Sequence, residues 1–239
     1  MLNLDKFPSI FIANWKLNGN IDYIKDYYQK LLINSNNCVV ICSPGIFLNI
    51  LKNNNENLFS GAQDVSIHNE GAFTGEISAK MLAENNIKFC LVGHSERRQH
   101  FKESNKSVNI KCKNLIENNI IPVICVGETL EEKQKKLTST VLNKQIIECV
   151  PDNANFQNTI IAYEPIWAIG SGLTPSLDEI EQVHKFIKNL DKKFNNFKVL
   201  YGGSVKATNS GDITNLQTVD GCLVGGASLK VDEFNSIIS

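Results

Sequence analysis

Apolar and polar positions follow one another along this chain in blocks. Short runs rich in β-branched and other apolar residues each end in small or polar residues, and stretches with helical spacing follow them. The runs are Ser9–Asn14, Cys38–Ser43, Leu58–Asp64, Phe89–His94, Pro122–Gly127, Thr159–Glu164, Val199–Gly203 and Gly221–Gly225. Eight units in 239 residues allot about 30 residues to each, the size of a strand with its crossover helix. Between them, Ile21, Ile24, Tyr28, Leu31 and Leu32 mark one helical face. Leu177, Ile180, Val183, Phe186, Ile187 and Leu190 mark another, opened by Ser176 with Glu179 three residues on, the spacing of a capping box. The segment Glu131–Cys149 reads as one long charged helix with its apolar side at Leu137, Val141 and Ile146. Near-continuous apolar strands alternating with amphipathic helices imply an α/β fold with a helix-covered parallel sheet. Eight repeats favour closure into a (β/α)8 barrel, eight parallel strands with outer helices, over an open sheet. No linker or shift in composition divides the chain, so residues 1–239 read as a single domain.

Composition narrows the function. With 24 Lys+Arg against 25 Asp+Glu the net charge is -1, so no global field recruits nucleic acid or an anionic membrane. Any anion must be captured locally. The first residues, Met1 to Pro8, lack the basic segment, long apolar stretch and small-residue cleavage site of a signal peptide. No apolar run approaches the roughly 20 residues of a membrane span. The seven cysteines include no Cys-x-x-Cys pair and sit mostly in strand-like runs, which suits reduced packing residues in a cytoplasmic protein without a zinc site. The asparagine clusters Asn34-Ser35-Asn36-Asn37, Asn53-Asn54-Asn55 and Asn195-Asn196 read as surface turns plus a compositional bias. They carry no chemistry.

One connection stands apart. From Asp64 to Lys88 the chain passes through His68-Asn69-Glu70-Gly71-Ala72-Phe73-Thr74-Gly75-Glu76, a glycine-rich stretch with an apolar tip. Long loops tend to be functional, and this one fits a mobile lid, a disordered spacer or an association element.

A barrel of this kind keeps its active site at the C-terminal ends of its strands. Those ends supply Asn14 and Lys16, His94 and Glu96, Cys125, Gly127 and Glu128, Glu164, Gly202-Gly203-Ser204, and Gly225-Gly226. A carboxylate, an imidazole and an ammonium thus converge with glycine-rich turns whose backbone N–H groups can approach a phosphate closely. A lone glycine pair is usually just a turn. Two pairs on consecutive strands, opposite His94 and Glu164, point to a phosphate site.

These residues lie within longer strings: Asn14-Trp15-Lys16, Val92-Gly93-His94-Ser95-Glu96-Arg97-Arg98, Ala162-Tyr163-Glu164-Pro165-Ile166-Trp167-Ala168-Ile169-Gly170, Tyr201-Gly202-Gly203-Ser204-Val205 and Leu223-Val224-Gly225-Gly226-Ala227-Ser228-Leu229. In this order, over essentially the whole chain, they closely resemble the triosephosphate isomerase family, whose fold is the TIM barrel. The resemblance implies interconversion of dihydroxyacetone phosphate and glyceraldehyde 3-phosphate through an enediolate, in glycolysis and gluconeogenesis, with no cofactor and no metal. Glu164 would move the proton between carbons 1 and 2, a task suited to a carboxylate stripped of water when the site closes. His94 would be the neutral electrophile at the substrate oxygens, held neutral by helix N–H groups. Lys16 would supply positive charge, Asn14 would orient Lys16 and a substrate oxygen, and Glu96, Ser95 and Cys125 would support them. Glu96 would pair with Lys16 or with an arginine.

Backbone N–H groups of Gly170, Ser204, Gly225 and Gly226 would hold the phosphate, and Pro165–Gly172, carrying Trp167 and Ile169, would close over it. The resemblance also implies a homodimer: Gln63 to Glu76, including Phe73, Thr74 and Gly75, would dock into a second subunit, with Thr74 reaching Asn14 and Lys16 of the partner subunit. Two departures stand out, Leu173-Thr174-Pro175 in place of the Lys-Thr-Ala hinge common in the family, and Leu17 where many relatives have Cys. Another phosphosugar isomerase or epimerase, or an inert phosphate-binding barrel, remain the competing readings.

Overall fold

The structure, a computed structural model, describes residues 2–33, 36–50, 55–170 and 172–239. Asn34, Ser35, Asn53 and Asn54 of the asparagine clusters, and Ser171 of the expected lid, lie outside the described residues.

Eight strands form: β1 (Ile10–Asn14), β2 (Cys38–Cys42), β3 (Leu58–Ala62), β4 (Phe89–Val92), β5 (Ile121–Val126), β6 (Ile160–Tyr163), β7 (Lys198–Tyr201) and β8 (Gly221–Val224). They pair in sequence order, every pair parallel, and close into a barrel. Closure is fixed in register, since Ile10 pairs with Cys38 on one side and with Gly221 on the other. Each expected strand contains the observed one or ends within two residues of it.

Side chains on successive strand positions point to opposite faces, and here both faces are apolar. Ile10, Ile12, Val40, Leu91, Val123, Ile160, Leu200 and Leu223 form the barrel's interior, which Leu4 and Phe7 cap. Their neighbours Phe11, Ala13, Val39, Ile41, Cys90, Ile124, Ile161, Val199 and Val224 pack outward against the helices. All seven cysteines are buried and free.

The helices are α1 (Ile21–Lys30), α2 (Ala79–Glu84), α3 (Ser95–Phe101), α4 (Asn105–Glu117), α5 (Leu130–Gln134), α6 (Thr138–Cys149), α7 (Leu177–Lys188), α8 (Ser210–Thr214) and α9 (Val231–Ile238). Three expectations need correction. The single helix Glu131–Cys149 is two helices, because Lys136 turns left-handed at φ 56° while Leu137 N–H returns to Glu132 O. That break also rotates the buried side, which is Leu142, Ile146 and Cys149 rather than Leu137 and Val141. On α1 the residues fully turned inward are Ile24 and Tyr27, whereas Ile21 and Leu32 are exposed. The aromatic ring of Tyr27 earns its place against Trp15, 4.8 Å away and edge-on, a geometry worth about 0.5–1.5 kcal/mol beyond area burial. Finally, the Asp64–Lys88 connection is not all loop, because α2 occupies part of it.

On α7 the capping box forms as expected: Glu179 N–H donates to Ser176 Oγ and Ser176 N–H to Glu179 Oε2. Its buried face carries His184 beside Ile180 and Ile187, edge-on to Tyr163 of β6. His184 Nδ1 lies 3.3 Å from Thr218 O, which can only accept, so the proton sits on that nitrogen. Burial pushes the His184 pKa down from 6.5 to about 4. Between those values the unfolded chain binds a proton that the folded chain refuses, so stability is complete above pH 6.5 and is lost as pH falls towards 4. The full loss is about 3 kcal/mol at 1.36 kcal/mol per unit. Urea unfolding from pH 7 to 4 should show this slope, and His184→Gln should flatten it; an equal slope in both proteins would contradict the assignment.

Candidate active site

The C-terminal strand ends meet around a cleft of about 520 Å³. Asn14, Lys16, His94 and Glu164 line it together with Gly170, Ser204, Gly225 and Gly226, and Gly225 stands so close to Lys16 that an added Cβ would meet Lys16 Cε at 3.6 Å. Every residue expected to handle protons or phosphate therefore borders one space.

Glu164 follows β6 and is buried, with Oε1 3.3 Å from His94 Nε2. Its other oxygen, Oε2, is buried without a protein partner. Two glycines keep room for it. A Cβ on Gly202 would lie 2.6 Å from Glu164 Cγ, and one on Gly127 would lie 1.8 Å from Glu164 O. Any larger residue at either position would displace the carboxylate or its backbone.

His94 follows β4 and is the N-cap of α3, where its Nδ1 accepts the Glu96 N–H at 3.2 Å. That bond requires a lone pair on Nδ1, so a neutral ring carries its proton on Nε2, facing Glu164. Opposing influences act on this ring. Burial disfavours the imidazolium, but the Glu164 and Glu96 carboxylates outweigh burial and raise the pKa above its ordinary value. Protonation would forfeit the Glu96 N–H bond, and only the neutral tautomer satisfies both ring nitrogens. The expectation that α3 alone depresses the pKa therefore needs correction, because the adjacent carboxylates pull the other way.

Lys16 holds a left-handed backbone at φ 52°, unusual for a residue with a side chain. Its N–H donates to Asn14 Oδ1 at 3.1 Å and its carbonyl accepts from Gln63 Nε2 at 2.9 Å, so it is gripped on both sides. A strained residue held by its surroundings is typical of a site where position matters. Its Nζ sits 2.6 Å from Glu96 Oε1, which settles the partner of Glu96 as Lys16 rather than an arginine. Burial raises the Glu96 pKa, but the ammonium outweighs it and holds the carboxyl below the usual range. With both side chains partly solvated, the pair is worth at most about 1 kcal/mol. Its effect is to aim Lys16.

Ser95 opens α3 behind His94. Cys125 lies inside the barrel beside Glu164, and burial, reinforced by that carboxylate, pushes its thiol far above the ordinary range. It remains a thiol and packs.

The expected lid begins at Pro165 and is tethered at its foot. Trp167 Nε1 donates to Glu128 Oε1 at 2.8 Å, and Lys133 Nζ sits 3.6 Å from the Trp167 ring centre. Burial raises the Glu128 pKa, partly offset by hydrogen bonds from Trp167 and Tyr163.

The glycine-rich loop is folded on itself: His68 stacks on Phe73 with ring centres 3.5 Å apart, and Glu76 N–H returns to Phe73 O. Phe73, Thr74, Gly75 and Glu76 are all exposed. Gln63, expected to begin the docking segment, gives its amide to Lys16 O and Cys42 O. Beside it opens a second groove of about 420 Å³, reaching from Lys16 and Glu96 to Leu17, Ile77 and Phe101. Leu17 is 95% exposed, and Ile46 nearby in sequence to the groove's Gly45 is 82% exposed.

Sequence reasoning missed several contributors. Lys206 lines the cleft beside Ser204, so Lys16 is not its only cation. Arg98 ties Gly93 O to Cys125 O across two strand ends, and Asp64, Glu103, Arg97 and Lys111 form an ion network behind His94's helix. An adjacent strand-end glycine marked the first; nothing local marked the others.

A closed (β/α)8 barrel with a carboxylate, an imidazole and an ammonium around a glycine-lined cleft defines a phosphosugar-type barrel enzyme. The family model described as triosephosphate isomerase matches residues 9–239. A triosephosphate isomerase of Mesomycoplasma hyorhinis is 42% identical over 240 residues, covering 97% of this chain and 98% of the relative. One from Alkaliphilus oremlandii is 41% identical, covering 96% and 98%. The crystal structure of triosephosphate isomerase from Bartonella henselae superposes with a TM-score of 0.86 at 33% identity, covering 97% and 98% of the two chains. This chain belongs to the triosephosphate isomerase family.

Proposed function

We propose that the chain, acting as one domain in the cytoplasm, interconverts dihydroxyacetone phosphate and D-glyceraldehyde 3-phosphate by proton transfer, as a step of glycolysis and gluconeogenesis. The observation that carries this reading is Glu164 Oε1 set 3.3 Å from His94 Nε2 in a cleft that Lys16, Gly170, Ser204, Gly225 and Gly226 also line. Substrate enters the cleft that both side chains line. His94 Nε2–H polarises the carbonyl oxygen at carbon 2 while Glu164 takes a proton from carbon 1, giving an enediolate. His94 shifts a proton between the two oxygens, and Glu164 returns its proton to carbon 2. Lys16, oriented by Asn14 and Glu96, stabilises the negative charge that develops.

The phosphate sits on backbone N–H dipoles, which explains how a chain of net charge -1 holds a dianion. Its remote contacts serve catalysis by favouring lid closure. A coupled assay on glyceraldehyde 3-phosphate tests the whole reading. Turnover is expected; its absence in folded protein would favour the inert barrel.

The working form is a homodimer, in which the Phe73–Thr74 tip of one copy fills the groove beside Lys16 of the other. Exposed Leu17 and Phe101 on the groove, with exposed Phe73 at the loop tip, support this, because such apolar surface is costly in a monomer. Thr74→Arg should shift sedimentation from a dimer to a single 26.6 kDa chain. An unaltered dimer would refute the docking.

A further inference from the structure

We propose that Gln145, on α6 and outside the cleft, is a positioning residue for Glu164; the proposal rests on the base role given to Glu164 above. Strand pairing between β5 and β6 ends at Val126 and Tyr163, one residue short of the site. Beyond it, a single peptide unit is gripped from both sides. Val126 O accepts the Glu164 N–H at 2.8 Å, and the next N–H, that of Gly127, donates to Gln145 Oε1 at 2.8 Å. Gln145 Nε2 in turn donates to Gly127 O at 3.1 Å.

The carboxamide therefore holds both backbone polar groups of one residue. Only Gln or Asn offers a donor and an acceptor side by side for this, and Gln has the reach. Hydrogen bonds strung through one peptide unit polarise one another, which stiffens the line from Glu164 to Gln145. A second contact makes the line rigid. The Gly127 backbone lies so close to the Glu164 carbonyl that a Cβ on Gly127 would stand 1.8 Å from it. No flexible side chain lies between them to absorb a shift. At its other end Gln145 rides on a helix anchored by buried Leu142, Ile146 and Cys149. Supports of this kind hold catalytic groups within the tolerance that proton transfer demands.

The test is a double-mutant cycle. Gln145→Met keeps the side chain's length and removes both hydrogen bonds. Its kcat is expected to fall about tenfold to a hundredfold, the penalty of a misplaced catalytic group, with KM held within about twofold. In a Glu164→Asp background, where the carboxylate is already displaced, the same change should alter kcat no more than about twofold. Equal factors in both backgrounds would overturn the proposal, as would a lowered melting temperature with kcat intact. If Gln145→Met does not fold, Gln145→Asn, which keeps the amide but not its reach, carries the same expectations. The parent and the Glu164→Asp single variant are assayed alongside. Full activity in Glu164→Asp would sink the base role itself, and Gln145 with it, a result distinct from additivity in the cycle.

Discussion

Replacing Glu164 by Asp will lower kcat by about 10²- to 10⁴-fold, the range that a positioned acid or base supplies. The carboxyl group remains but is one methylene shorter, and withdraws from a position now 3.3 Å from His94 Nε2. Gly202 packs so closely on Glu164 that an added Cβ would lie 2.6 Å from its Cγ, a fit made for the longer side chain that the shorter one gives up. Stability should change little beside that, because what the substitution can break is the contact of Oε1 with His94 Nε2, whereas Oε2 has no protein partner. Steady-state kinetics with thermal melts check both halves. Full activity retained would remove Glu164 from the mechanism.

The second large effect concerns Lys16. Lys16→Met removes the ammonium facing the cleft, and kcat/KM should fall at least about 10³-fold, since one electrostatic contact to a developing anion is worth 10²- to 10³-fold and the phosphate loses a cation as well. The left-handed backbone allows a control. Lys16→Gly loses the same charge but relieves a conformation that disfavours side chains by about 1–2 kcal/mol. It should be as inactive as Lys16→Met yet melt higher. A Lys16→Gly variant much more active than Lys16→Met would mean that geometry, not charge, dominates at this position.

The fold was largely legible because barrel strands are buried on both faces and stand out as apolar runs. The α7 start was legible because Ser176 and Glu179 carry a local, reciprocal pattern. The break at Lys136 was not, because a left-handed lysine leaves no compositional mark where a glycine would have. Apolar spacing alone does not give the buried face of α1, because Ile21 and Leu32 lie exposed while Tyr27 turns inward to Trp15.

In the site, Asn14, Lys16, His94 and Glu164 could be found because strand ends are where a barrel keeps its chemistry. Gln145 and Arg98 could not. Each is an ordinary polar residue on a helix, and its meaning arises only when folding sets it against a backbone from another part of the chain. The strand end marks Glu128, but its bond to Trp167 depends on two distant segments meeting.

Closure of the barrel also bears on how the chain is made. β1 pairs with β8, so Ile10 waits for Gly221 before its second edge is covered. At roughly 5–20 residues per second of synthesis, that interval is on the order of ten to forty seconds. Throughout it, the nascent sheet presents an open edge at each side and an apolar outer face that later helices will cover. The last strand to emerge thus closes both edges at once, and until then the ribosome-bound chain is open to pairing with another strand.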